Sequence, residues 1–200
     1  MNYFDMKIYR TLSLLIFLAP FICQAQESRL PDNVSAQGQI NLPNDFQVNY
    51  VFLGSWFLDI KDQKSKLMQH VYARKQDVIS YQQTGEWPDG AVVVKEQIKA
   101  IDSDIGAAME SYAGKTNGYF VMVKDRKNRF PDNPLWGDGW GWSFFDSKDL
   151  TKTTTTDYKK DCLGCHEPVR KTDLIFIKGY PLLNGNSGHI TRWSIGQPKR

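Results

Sequence analysis

Gly139-Trp140-Gly141-Trp142-Ser143-Phe144-Phe145 is the run whose reading decides the fold. Glycine alternates with tryptophan, and a period of two is that of an extended strand, so the run predicts a strand with its aromatics on one side. Upstream, Tyr119-Phe120-Val121-Met122-Val123 is β-branched and aromatic in the same way. Residues 128–138 between them read as a loop, broken by Pro131, Pro134 and Gly137. Residues 91–101, opening with Val92-Val93-Val94, predict a long strand. It follows the turn Trp87-Pro88-Asp89-Gly90, where proline presets φ and Asp-Gly tolerates the reversal. Residues 48–60 and His70-Val71-Tyr72-Ala73 add two strands around a charged turn at 61–66, and residues 74–83 suit a short helix. Residues 102–116 read as a polar connection with one helical turn at Ala107-Ala108-Met109, and residues 173–177 as a last strand. Strand signals outnumber helix signals and are joined by short turns. The expectation is an α+β fold, a mostly antiparallel curved β-sheet with a few short helices.

Downstream of the Gly-Trp run stands Cys162-Leu163-Gly164-Cys165-His166. Two cysteines two residues apart, followed at once by histidine, form the pattern for covalent haem attachment. Each thiol can add to a haem vinyl group, and one helical turn brings the His166 imidazole under the iron. A thioredoxin-like site would need a preceding strand, whereas the run Thr151 to Thr156 comes first. A zinc site would need two more ligands at metal spacing, and the remaining histidines, His70 and His189, are scattered. The expected cofactor is one covalent haem c on Cys162 and Cys165, with His166 as the metal ligand. The sheet then covers one face of that haem.

The 200 residues suit one domain with tails. Lys7 and Arg10 precede an apolar run from Leu12 to Ile22, and Cys23-Gln24-Ala25 offers a cleavage site. Residues 1–25 therefore read as a signal peptide, 26–41 as a flexible tether, 42–184 as the haem domain and 185–200 as a tail. Export to the periplasm is implied, with no membrane association after cleavage, since no later stretch approaches ~20 apolar residues. Of 3 cysteines in the chain, cleavage removes Cys23 and leaves only the two in the motif, so none remains for a structural disulfide. Of 25 basic and 22 acidic side chains, Lys7, Arg10 and Asp5 fall in the signal, which leaves a near-balance of 23 to 21. Such a balance argues against nucleic acid as a partner.

Position along the chain separates kinds of haem protein. No methionine follows His166, so the usual downstream second axial ligand is missing and a five-coordinate iron is expected. A motif near the C-terminus also suits four-helix cytochromes, but the strand-rich body does not.

The order of motifs resembles the cytochrome P-460 family, which includes the cytochrome c′-beta proteins. The matching pieces are Leu42-Pro43 with Phe46, His70 to Ala73, Trp87 to Ala91 leading into Val94-Lys95-Glu96, and Met122-Val123-Lys124. Gly139 to Trp142, Cys162 to His166 and Asp173 to Phe176 complete the series, which spans most of residues 42–183. The resemblance implies a β-rich fold, usually dimeric, holding one five-coordinate haem c. It implies hydroxylamine oxidation in the periplasm for the enzymes, and nitric oxide binding or peroxide chemistry for their relatives. Oxidising members carry a lysine cross-linked to the porphyrin, placed here just before the Pro-Asp-Gly turn, where this chain has Glu86; Lys75 and Lys95 are nearby, but neither occupies the matching place. They also carry a distal carboxylate near the strand after the Gly-Trp motif, where Ser143 stands and Asp146 is the nearest acid.

Three functions follow: an oxidoreductase acting on hydroxylamine, nitric oxide or peroxide, a non-enzymatic gas binder, and a periplasmic electron carrier. For the first, Glu86 and Asp146 are the candidate catalytic acids, since a carboxylate near a dry haem face can have its pKa raised into a useful range. His70 is a candidate distal ligand and equally a structural strand residue. Lys159, Lys160, Arg170 and Lys171 flank the motif and suit haem propionates, a redox partner or plain solvation.

Overall fold

In the computed structural model, which describes residues 30–61 and 65–184, a short helix α1 (Phe46–Asn49) leads into one antiparallel sheet. Its strands are β1 (Val51–Asp59), β2 (Lys66–Ala73), β3 (Val92–Asp104), β4 (Met109–Lys124), β5 (Trp136–Gly137) and β6 (Trp140–Asp146). They lie in the order β1-β2-β3-β4-β6-β5. Helix α2 (Lys75–Thr84) joins β2 to β3 and ends at Gly85, whose φ of 75° favours a residue without a Cβ. The α+β expectation of a mostly antiparallel sheet with a few short helices holds. Among the described residues no helix is long and apolar enough to cross a membrane.

The sheet separates two cores. On one face Leu53, Val71, Val93, Met122, Trp140 and Trp142 pack with Trp87 and Tyr81 of the α2 region and with Leu174, Ile175 and Tyr180. On the other, Val92, Val94, Val121, Val123 and Phe145 pack with Phe46, Ile40 and Trp136. Period-two alternation sorts neighbouring residues to opposite faces, so Trp140 and Trp142 share the first core while Phe145 turns to the second. The Gly-Trp alternation has a steric reason as well. A Cβ on Gly141 would lie 2.7 Å from the Trp136 ring, so glycine admits that ring against the strand.

Three expectations are corrected. Residues 102–116 form no polar connection with a helical turn: β3 runs on to Asp104, β4 begins at Met109, and Ile101 pairs with Tyr112 and Asp102 with Ser111. Polar cross-strand contacts hold this arm, with Lys66 Nζ 2.6 Å from Asp102 and Ser111 Oγ donating to it at 2.7 Å. Tertiary pairing here overrides weak local strand propensity. Residues 173–177 form a turn rather than a strand, because Asp173 and Leu174 adopt φ of 56° and 63°. A 3-10 turn at Ile177–Gly179 and helix α4 (Pro181–Asn184) follow. The described part of the tether, residues 30–41, folds back through a Val34–Ile40 bridge, and Ile40 is buried in the second core. Trp136 Nε1 donates to the Gly38 carbonyl at 2.8 Å, which fixes this segment. The signal and tail assignments, 1–25 and 185–200, lie outside the described residues.

The Pro-Asp-Gly turn is anchored by charge. Arg129 joins the carboxylates of Asp89 and Asp125, its Nη1 lying 2.6 Å from Asp125, and the three side chains are 17%, 10% and 5% exposed. Removing one partner of so buried a group leaves uncompensated charge. Arg129→Ala is therefore expected to destabilise the fold by roughly 3–5 kcal/mol, measured by urea denaturation. A loss well below that range would show that the two carboxylates find other partners.

Candidate functional site

The first face of the sheet lays down rows of side chains fixed by strand register. Trp56, Gln69 and Gln97 make one row; Val71, Lys95, Phe120 and Phe144 the next; Val93, Met122 and Trp142 a third. Over these rows the chain from 158 onward returns as an irregular helix. A π turn (Lys159–Leu163) runs into an α turn (Gly164–His166) and then a 3-10 turn (Glu167–Thr172). Between sheet and helix lies a cavity of about 410 Å³. Its lining includes Cys162, Cys165 and His166 from the helix, Ile175, Phe176 and Tyr180 from the segment after it, and all but Phe144 of the three rows.

His166 is held on three sides. Its Nδ1 lies 2.6 Å from the Leu174 carbonyl, and its ring meets Trp142 edge-on at 5.0 Å and Phe176 at 5.4 Å. A carbonyl only accepts, so Nδ1 carries the proton and Nε2 keeps its lone pair, the tautomer a metal ligand needs. Burial lowers the imidazole pKa and so favours the neutral ring, and the Leu174 hydrogen bond opposes this without overcoming it. Burial also pushes the Cys162 thiol up to about 11.

Among the described residues one lysine faces this cavity. Lys95 projects from β3 with its Nζ 4.0 Å from the Phe120 ring centroid, and burial lowers its pKa while the nearby cysteines raise it. A lining polar group, the Trp56 indole N–H, is buried with no hydrogen-bond partner among the described residues, whereas the likewise unpaired Ser143 hydroxyl alternates with Trp142 and turns with Phe145 to the second face. Orphaned polar groups of this kind are usual where a ligand completes the site. The lining carboxylate is Asp161, already accepting from the Thr156 and Asp157 amides at 2.8 and 3.2 Å.

The structure therefore brings Cys162, Cys165 and His166 to one apolar cavity and leaves the candidate acids outside it. Glu86 is 65% exposed and pairs with Arg126 at 2.8 Å, beyond the turn that follows α2. Asp146 ends β6 and accepts from the Lys148 amide at 2.9 Å. His70 packs edge-on to Phe52 at 5.9 Å and does not line the cavity. Of the flanking cations, Arg170 pairs with Asp138 at 3.0 Å and with Glu167, and Lys160 lies 3.6 Å from Asp157. Lys95 was the residue to find. Counting by twos from Val93 puts it on the cavity face, and a lysine directly after three valines is the signal.

The residues present fit a haem c: two thiols and an imidazole on one helical stretch, over an apolar cavity broad enough to use three sheet rows. Comparison with known families agrees with this geometry. The family described as Cytochrome P460 matches residues 47–177, which takes in the whole sheet and the Cys162–His166 motif. No curated protein matches the chain.

Ser143 offers a test of the packing behind the cavity that is independent of any ligand. A buried hydroxyl without a partner costs on the order of 1–3 kcal/mol, so Ser143→Ala is expected to be neutral or to stabilise the apoprotein by about 1 kcal/mol. Destabilisation in a denaturant titration would mean that the hydroxyl is satisfied by a bound water.

Proposed function

This chain belongs to the cytochrome P460 family, and on that premise we propose that it is an exported mono-haem c-type oxidoreductase acting on small nitrogen or oxygen species, with hydroxylamine foremost. Cys162 and Cys165 would hold the haem by thioethers, and His166 Nε2 would bind its iron. Haem in this setting supplies an open iron position and one-electron chemistry. The protein's own part is to keep the pocket dry, hold the imidazole neutral and present an amine.

The observation that carries the reading is Lys95. The family's oxidising members have a lysine bonded to the porphyrin, and Lys95 is the lysine lining the cavity with both cysteines. Its burial lowers the pKa and raises the fraction of free amine, which is the nucleophilic form. Glu86, assigned to that position from the sequence, faces solvent and is replaced in this role.

A second reading, a gas binder without turnover, is favoured by Ser143. No carboxylate stands at Ser143, the position to which the resemblance assigns the family's distal acid, and the cavity's Asp161 is engaged with backbone amides. A serine hydroxyl is a poor proton acceptor, so ligand binding would then outrun oxidation. Residues 1–25 support a periplasmic location, and Lys159 and Lys160 beside the motif offer contacts to a redox partner.

Haem is expected to stay with the denatured polypeptide through acid–organic extraction, and tryptic haem peptides should contain both the Cys162–His166 segment and Lys95. Lys95→Met should give one haem peptide and an ordinary c-type spectrum. A single haem peptide from the wild type would instead support the gas-binding reading. Ferrous protein without added ligand should be high-spin and five-coordinate. A low-spin spectrum would point to Met122, a methionine in the cavity lining, and to electron transfer.

A further inference from the structure

Asp173 and Leu174, in the turn that follows the motif helix, both adopt left-handed backbone, with φ of 56° and 63°. Asparagine and aspartate tolerate that region, but a leucine there costs roughly 1–2 kcal/mol and persists only where its surroundings impose it. The surroundings are specific. Lys124 Nζ lies 2.7 Å from Asp173 Oδ1, and Trp140 Nε1 donates to the Asp173 carbonyl at 3.1 Å, with Oδ1 at 3.3 Å. Lys124 and Trp140 are directly paired across β4 and β6, and the ammonium also sits 4.8 Å from the Trp140 ring centroid. The Leu174 amide donates to the Val169 carbonyl at 3.1 Å, which ties the turn back to the helix.

The product of this arrangement is one contact. It aims the Leu174 carbonyl at His166 Nδ1, 2.6 Å away. Lys124 and Trp140 are almost fully buried, at 8% and 0% exposure, while the Asp173 side chain is 36% exposed, and an ion pair open to solvent on one side is a weak source of net stability. Its cost is better matched by the conformation it enforces than by the pair itself. A partner on the second nitrogen of a metal-bound imidazole sets ring orientation and ligand basicity.

We infer that Lys124, Asp173 and Trp140 form a clamp of positioning residues that fixes the Leu174 carbonyl on His166 and so sets how strongly the imidazole donates to the iron. The inference rests on His166 being the iron ligand. A tightly held acceptor at Nδ1 gives the ring imidazolate character, which strengthens the iron–nitrogen bond and lowers the reduction potential. Loosening the clamp works in the opposite direction without removing the ligand.

The test uses the haem-loaded protein. Asp173→Asn keeps size and tolerance of positive φ while removing the charge, and Lys124→Met removes the cation. Both are expected to shift the iron–histidine stretch of the ferrous protein to lower frequency in resonance Raman spectra, and to raise the reduction potential. Lys124→Arg should restore both toward the wild type. An ion pair that only stabilised the fold would lower the denaturation midpoint and leave both readouts unmoved, and that result in the folded Asp173→Asn protein would overturn the clamp. If Lys124→Met fails to load haem, the ¹⁵N spectrum of its apoprotein replaces it: the clamp predicts loss of the single Nδ1-protonated tautomer, and retention of that tautomer overturns it. Absence of any iron–histidine band in the wild type would refute ligation by His166, and with it the foundation of the clamp, a failure distinguishable from an unshifted band.

Discussion

The antiparallel register of β2, β3, β4 and β6 is the constraint on which the rest of the molecule depends. Side chains alternate across a sheet, so pairing Val94 with Val121 and Val93 with Met122 decides which residues reach the cavity. Lys95 and Glu96 are neighbours in sequence and go to opposite faces. The lysine turns to the cavity, while Glu96 is buried behind the sheet and accepts from Thr116 and Gln47 at 2.8 and 3.3 Å. A slip of one residue would exchange them, sending a carboxylate to the cavity and leaving an ammonium among hydroxyls and rings. The satisfied Glu96 cluster thus guards the register from behind as the valines do from both sides.

The two cores serve this sheet differently. The second core is closed by α1, the folded-back segment around Ile40, and the Trp136 ring seated over Gly141, which makes it a rigid backing. The first core is continuous with the cavity, where Trp142, Phe176 and Trp56 carry both packing and the shape of the site. Rigidity behind and adaptable aromatic surface in front is a common way to hold a cofactor, because the walls must already be in place when it binds.

Strand periodicity made most of this sheet readable from the sequence, and the cysteine–histidine spacing singled out three residues that line one cavity. Two kinds of information were not local. The arm formed by Ile101 and Tyr112 with their neighbours depends on cross-strand partners, and its polar residues mimic a connection when read alone. The segment Leu174-Ile175-Phe176-Ile177 has every mark of a strand, yet its carbonyl at Leu174 is claimed by a histidine eight residues back. The resemblance put the family's lysine just before the Pro-Asp-Gly turn, at Glu86, whose side chain pairs with Arg126 in solvent rather than facing the cavity. Parity along β3, counted from buried Val93, identifies Lys95.

The half-buried Cys162 thiol bears on how the protein survives before it is complete. With a pKa of about 11, it holds only about one part in ten thousand as thiolate at neutral pH. Thiol–disulfide exchange runs through the thiolate, so the newly folded chain is slow to close Cys162 onto its neighbour or onto a stranger. Folding ahead of haem addition would therefore act as its own protective cap. It would equally slow any other reaction that proceeds through the Cys162 thiolate.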